Sequence, residues 1–480
     1  MKKLILILAA IACMLSATAQ RLLIIDSLTI DVNDVDYISY EADSDSPYKL
    51  LPEAIAADPK TTIFSDALQL TGLADSIKPY KDRSYESFEL RDQVTMIRAT
   101  SGGNPYSRAR YISHRWQRFT AFVETDSVFQ VAGINNLQDL QAYAKRVYDE
   151  VYPEDASVSD PTDRRHSLNR FVAYHLLPFS SGYRWLVSAN ERNQTVAHCM
   201  PGTVRDASAY YETLMPQASL KCSYPVGAIS TGIYLNRSGL RSDCTVRGAY
   251  IMEFEDYQKE HHTENGIYYY IDQPLVYDRV TQQEVLNELW RVDFKTLSPD
   301  LMNTAMNYDW GNTDDFIAIP NGYAKNYETD GEMVALHTFN PWWWMYEGDG
   351  VVCSGMRNVT VKLPPLPAGT WQVRLGYNGG AERPVINTYI DEVLQFSNID
   401  LRQYLMPEDV AADDNLFPGP DDYFPGGSSE SLADRISVVR RVIGTLTSTG
   451  TGDHYLRIES IIDDPDIYFP LDYLEFVPVK

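Results

Sequence analysis

Positive charge is scarce in this chain: 41 lysines and arginines stand against 66 aspartates and glutamates among 480 residues, a formal net charge of −25. That deficit argues against nucleic acid or an anionic membrane as a partner, because both are held through lysine and arginine on phosphate. A Ca²⁺ ion or a neutral glycan remains compatible, and acidity by itself also serves to keep an exported protein soluble. Cysteine is sparse as well, with five in all. No two of them form a Cys-x-x-Cys pair, which argues against structural zinc and thioredoxin-type chemistry. Beyond the N-terminus no apolar run is long enough for a membrane helix, so an integral membrane segment is not expected. The chain also lacks a nucleophile elbow, a phosphate-binding loop, a His-Glu-x-x-His helix and a dinucleotide glycine fingerprint. Acidic residues abound, but nothing singles out two of them as a glycoside-hydrolysing pair. No catalytic residue is assigned, and an enzyme is ranked last among the functional readings.

The N-terminus reads as an export signal over 1–19. Lys2 and Lys3 precede an apolar run from Leu4 to Ala12, and Ala17-Thr18-Ala19 fits a small-x-small cleavage site before Gln20. Ala10-Ile11-Ala12-Cys13 is an imperfect bacterial lipoprotein box, so a lipid anchor on Cys13 is the alternative to cleavage before Gln20. Either way the mature chain is expected outside the cytoplasm, in the periplasm, at the cell surface or beyond. Cys199, Cys222, Cys244 and Cys353 would then remain, in a compartment that permits disulfides; their pairing, or their staying free, is open. Residues 20–49 read as a leader that adds at most a strand.

The stretch Phe119-Thr-Ala-Phe122-Val-Glu-Thr125-Asp126-Ser-Val-Phe129 carries the most information. Its first half alternates at the two-residue period of a strand, and Thr125 or Asp126 is placed to cap a helix that begins with Val128 and Phe129. Upstream, Leu51, Ile55, Phe64, Ala67, Leu68, Leu70 and Leu73 recur at helical spacing and predict helix–turn–helix over 50–77. Downstream, Leu137, Leu140, Ala144, Val147, Tyr148 and Val151 predict an amphipathic helix capped by Asn135 or Asn136. Asp160-Pro161-Thr162-Asp163 reads as the start of another, with His175 on its apolar face. Strands are expected over 228–235, 246–254 and 266–271.

Three segments in this order, Phe119 to Phe129, Tyr174-His175-Leu-Leu-Pro178 and Asn265-Gly266-Ile-Tyr-Tyr-Tyr-Ile271-Asp272, resemble the fasciclin domain, an adhesion and binding module whose members are not generally enzymes. The resemblance covers 50–278 and implies an α+β domain. It singles out Phe122, Thr125, Asp126, Phe129, Tyr174 and His175 as motif residues, with His175 serving the fold or partner recognition. A polar insertion over 80–117 is longer than the family usually carries, and the match loosens over 181–219.

A helical connector is expected over 279–326. From 327 to 480 short alternating segments separated by proline and glycine turns predict a β-sandwich. Leu363-Pro-Pro-Leu-Pro-Ala-Gly-Thr370-Trp371 and the closing Leu471-Asp472-Tyr473 resemble jelly-roll modules of the galactose-binding type. The expected fold class is therefore an α+β fasciclin-like domain followed by an all-β jelly-roll sandwich. The expected function is that of an exported, non-catalytic adhesion or binding protein of the bacterial cell envelope, whose partner is a cell-surface or matrix protein or a glycan. The alternative is a surface glycan-binding protein that reads sugar with its C-terminal sandwich.

Trp342, Trp343, Trp344 and Tyr346 form the candidate ligand platform, since flat aromatic faces stack on sugar rings; in a strand the three tryptophans would split between two sides, so at least one belongs in a core. The adjacent His261 and His262 point apart on any regular element and are read as a solvated loop rather than a metal site. No cofactor is expected. The acidic stretch Glu408, Asp409, Asp413, Asp414, Asp421 and Asp422 offers Ca²⁺ oxygen ligands without the spacing of a defined calcium loop.

Overall fold

A computed structural model describes residues 22–25, 28–31, 48–86, 110–112, 114–187, 206–225, 232–238, 248–253, 258–304, 315–337, 349–377, 379–403, 405, 407–418, 439–464 and 467–479. The chain divides into two units, Met1–Pro47 and Tyr48–Lys480. In the first, strands Leu22–Ile25 and Leu28–Asp31 pair antiparallel with each other.

The second unit is mostly β. Its first sheet runs in the order His261–Thr263, Gly266–Ile271, Phe119–Glu124, Leu176–Leu177, and its two central strands are parallel, with Ile267 opposite Thr120 and Ile271 opposite Glu124. Both central strands are buried along their whole length, as parallel strands covered on both faces must be. Gly266 is required here: a Cβ would lie 2.2 Å from the Phe119 carbonyl oxygen. Beside it the Asn265 side chain accepts from the Leu51 amide at 2.8 Å and donates to the Ile77 carbonyl at 2.8 Å, tying the helices Leu51–Ala57, Thr62–Leu70 and Leu73–Ser76 to the sheet.

Helix Asp126–Val131 is capped by Thr125, whose hydroxyl accepts from the Val128 amide. Asn136 caps Leu137–Val151 through the Asp139 amide at 3.0 Å, and Leu140, Ala144 and Tyr148 form the buried stripe. The next helix begins at Ser167, capped by His166, not at Pro161. Asp160 instead accepts from the backbone and hydroxyl of Thr162, a local turn that competes with the helix.

A second sheet, Asp206–Glu212, Ser219–Pro225, Tyr234–Leu235 and Ala249–Tyr250, lies where the motif spacing loosens. Three five-stranded sheets follow. One joins Trp290–Asp293, Tyr473–Pro478, Gly369–Tyr377, Val439–Ser448 and Leu416–Pro418. Another joins Tyr468–Leu471, Asp349–Ser354, Glu332–His337, Asp315–Ile319 and Arg110–Tyr111. The last joins Tyr327–Thr329, Asn358–Lys362, Tyr455–Ser460, Val385–Ile390 and Val393–Asp400.

The expected fold class is corrected by this topology. The chain is not an α+β fasciclin-like domain followed by a jelly-roll, but a mostly β molecule with few helices, whose sheets draw strands from both sides of the expected division. Arg110–Tyr111 pairs with Asp315–Ile319, and Trp290–Asp293 pairs with the C-terminal strand Tyr473–Pro478. The stretch 279–326 is no helical connector: its described part holds two strands and the short turns Thr281–Val285, Lys295–Leu297 and Pro299–Met302. Val285, Leu289 and Val292 fit a helical period, yet Trp290 and Val292 fit a strand equally well, and only the partner strand decides. Among the described residues the larger hydrophobic core runs from Leu51 through Tyr269 and Trp371 to Phe476, and Phe316, Val334, Leu336 and Val352 form a second, smaller cluster.

Among the described residues no helix is long and apolar enough to cross a membrane.

Candidate functional site

The segments around Phe122, His175 and Tyr270 meet in one sheet. Leu176–Leu177 pairs with Thr120 and Ala121, and the Phe122 amide donates to the His175 carbonyl at 2.9 Å. At their junction His175 and Glu124 are both fully buried. The helix Ser167–Tyr174 ends at His175, which lets the ring turn back over the last turn: Nδ1 lies 2.7 Å from the Phe171 carbonyl oxygen and Nε2 lies 2.8 Å from Glu124 Oε1. A carbonyl only accepts, so Nδ1 carries a proton and donates it. Nε2 and Glu124 Oε1 stand within hydrogen-bond distance of each other. Glu124 Oε1 also accepts from the Leu275 amide at 3.1 Å, while Oε2 has no hydrogen-bond partner among the described residues. Phe64 meets the imidazole edge-on at 5.4 Å and Phe171 packs on it at 4.5 Å, so apolar rings wall the pair off from water.

The other motif residues build the same junction. Phe122 stacks on Tyr269 at 5.8 Å, and Phe129 meets Phe171 at 6.4 Å. Asp126 accepts from the Ile63 amide at 2.9 Å, joining two helices. The Tyr174 hydroxyl donates to the Ser219 carbonyl at 3.0 Å and accepts from the Asn236 amide at 2.9 Å, and burial holds its phenol well above the usual range. Each motif side chain is spent on contacts inside the molecule.

Trp342, Trp343, Trp344 and Tyr346 lie outside the described residues, as do Asp421, Asp422, Cys199 and Cys244. Cys222 and Cys353 are free and buried, and burial pushes the Cys353 thiol up to about 12. Asp413 pairs with Arg441 at 3.3 Å, and among the described residues no group of three histidine, cysteine or carboxylate side chains is placed to hold a metal ion. His261 and His262 belong to the strand His261–Thr263 rather than to a loop. His261 stacks on Tyr268 at 4.2 Å and is pushed down to about 4 by burial, whereas the Glu260 carboxylate 2.9 Å from His262 raises its partner.

Two charged clusters were not singled out in the sequence. Arg115 lies between the Tyr85 and Tyr323 rings, 4.7 and 5.5 Å from their centres, and pairs with Asp82 at 3.0 Å. Glu475, fully buried, takes Arg291 at 2.7 Å, Arg440 at 3.1 Å and Arg374 at 3.6 Å. Arg291, Glu475 and Arg374 are cross-strand neighbours, a row assembled from positions 291, 374 and 475. The only local signal for it is the charged residue inside each alternating strand.

No protein-family model matches the chain, and no curated protein matches it. Among solved structures, a xanthan lyase from Paenibacillus is similar over 32% of this chain at 12% identity, with a TM-score of 0.22; the chain spans 12% of that lyase. The insecticidal crystal protein CRY2AA is similar over 74% of this chain and 69% of its own, at 10% identity and a TM-score of 0.17. Neither likeness defines a shared fold.

Proposed function

We propose that this chain is an exported, non-catalytic binding protein of the bacterial cell envelope that attaches to a cell-surface or matrix partner. The observation that carries the reading is the burial of the Glu124–His175 pair. An imidazole beside a carboxylate is the chemistry most often used for proton transfer, and a general base must come within hydrogen-bond reach of its substrate. Here both nitrogens are engaged and both side chains are fully buried, so the pair joins strand to helix.

The test compares His175→Gln with the intact chain. The expected result is a lower unfolding temperature, unchanged attachment to immobilised cell-envelope and matrix material, and no hydrolysis of a polysaccharide, ester and peptide panel by either protein. Turnover of any panel substrate that disappears in His175→Gln would overturn it.

A further inference from the structure

We propose that the solvent face of the sheet containing Asn358–Lys362, Tyr455–Ser460 and Val385–Ile390 binds a neutral glycan; this deepens the binding-protein reading and rests on it. Asn358–Lys362 and Tyr455–Ser460 alternate throughout, and Val385–Ile390 alternates from Ile386 onward. Val359, Val361, Leu456, Ile458, Ile386 and Ile390 fill the core, and the residues between them face outward. Register sets those outward residues in two rows: Thr360, Arg457 and Tyr389 lie side by side, as do Asn358, Glu459 and Asn387.

Within these rows every planar polar group is oriented by another. The Tyr389 hydroxyl donates to Glu459 Oε2 at 2.7 Å and the Asn387 amide donates to the same oxygen at 3.0 Å. These bonds hold the Glu459 carboxyl below the usual range, Tyr389 contributing first, so it stands as an acceptor. The Arg457 guanidinium lies 3.7 Å over the Tyr389 ring and reaches Asn358 Oδ1 at 3.3 Å and Glu392 Oε2 at 3.1 Å. Tyr455, 44% exposed, and Leu394, 53% exposed, offer apolar surface at the margin.

The occupant follows from charge and hydrogen-bond capacity. Arg457 is paired with Glu392, Glu459 stands as a carboxylate beside it, and the chain carries −25 overall, so a polyanion is repelled. Fixed donors on Arg457, Asn358 and Asn387 alternate with fixed acceptors on Glu459 and Glu392. Sugar hydroxyls both donate and accept, and the C–H face of a pyranose packs on an aromatic ring such as Tyr455. A neutral oligosaccharide lying across the strands meets all three demands at once.

The experiment uses the full mature chain on an array of immobilised neutral polysaccharides (glucan, mannan, galactan, xylan) beside uronate-containing ones, followed by calorimetric titration with oligosaccharides of the best neutral binder. Tyr455→Ala and Arg457→Lys should each lower affinity about tenfold while the unfolding temperature stays near that of the intact chain, since neither side chain is in the core. Arg457→Lys keeps the charge and removes only the planar fork, so its loss separates recognition from misfolding. The proposal falls if neutral glycans bind equally to both variants, if binding is lost only on changing Trp342, Trp343 or Trp344 to Ala, or if uronates alone bind. Attachment to protein matrix without any glycan binding sinks this face and spares the binding-protein reading; cleavage of an arrayed polysaccharide sinks that reading itself.

Discussion

Glu124 and Glu475 are both fully buried carboxylates inside sheets, yet they are neutralised in opposite ways. Glu124 faces one histidine among aromatic rings, and Glu475 faces three arginines on a sheet face that retains some water contact, with arginine side chains 13–17% exposed. A histidine can give up its proton when its partner's charge disappears; an arginine cannot. The first junction therefore tolerates loss of charge better than the second, although it is the more deeply buried. Burial alone does not rank the two sites; the chemistry of the partner does.

The largest effect is expected for Glu475→Gln. It leaves three guanidiniums facing one another, and loss of one partner from a buried pair costs about 3–5 kcal/mol, here toward the lower figure because the arginines are partly wet. Urea unfolding checks it, and a loss below about 1 kcal/mol would mean the arginines repartner easily and the contrast is false. Glu124→Gln comes next. Its amide still meets His175, whose ring can stand neutral, so a loss of about 1–3 kcal/mol is expected, smaller than at Glu475. The reverse order would break the comparison.

His261 sharpens it at the weakest end. Burial lowers its pKa from 6.5 to about 4, so the folded chain holds the ring neutral while the unfolded chain takes up a proton more readily. The contribution is complete above 6.5 and is lost as pH falls through that value toward about 4. The ring stays partly exposed, so the effect is small. His261→Phe should flatten the stability profile across that window, measured as the difference between the two proteins; an unchanged slope would sink the assignment.

Local elements were largely legible. The strands at 119–124 and 266–271, the Thr125 and Asn136 caps and the stripe through Leu140, Ala144 and Tyr148 rest on short-range signals that the folded chain keeps, although both strands are buried on both faces rather than alternating. The strands Asp206–Glu212 and Ser219–Pro225 were not legible, because their alternating residues are tyrosine, serine and lysine, and weak apolar contrast gives a weak period. At the candidate glycan face, the run Tyr455-Leu-Arg457-Ile-Glu459 announced a strand with one wet side. It could not announce Tyr389 or Asn358, which arrive from strands far away in sequence.

Sequence alone settled the acidity, the scarcity of cysteine and the identity of the residues that seek burial or cap helices, because each depends only on side-chain chemistry and near neighbours. The tertiary structure decided which strands pair. It set Trp290 beside Phe476 and Arg110 beside Ile317, and so replaced two expected modules with sheets shared across the chain. Backbone hydrogen bonding in a sheet is blind to sequence separation. A strand is completed by whichever edge the rest of the molecule brings to it, and no local period records that choice.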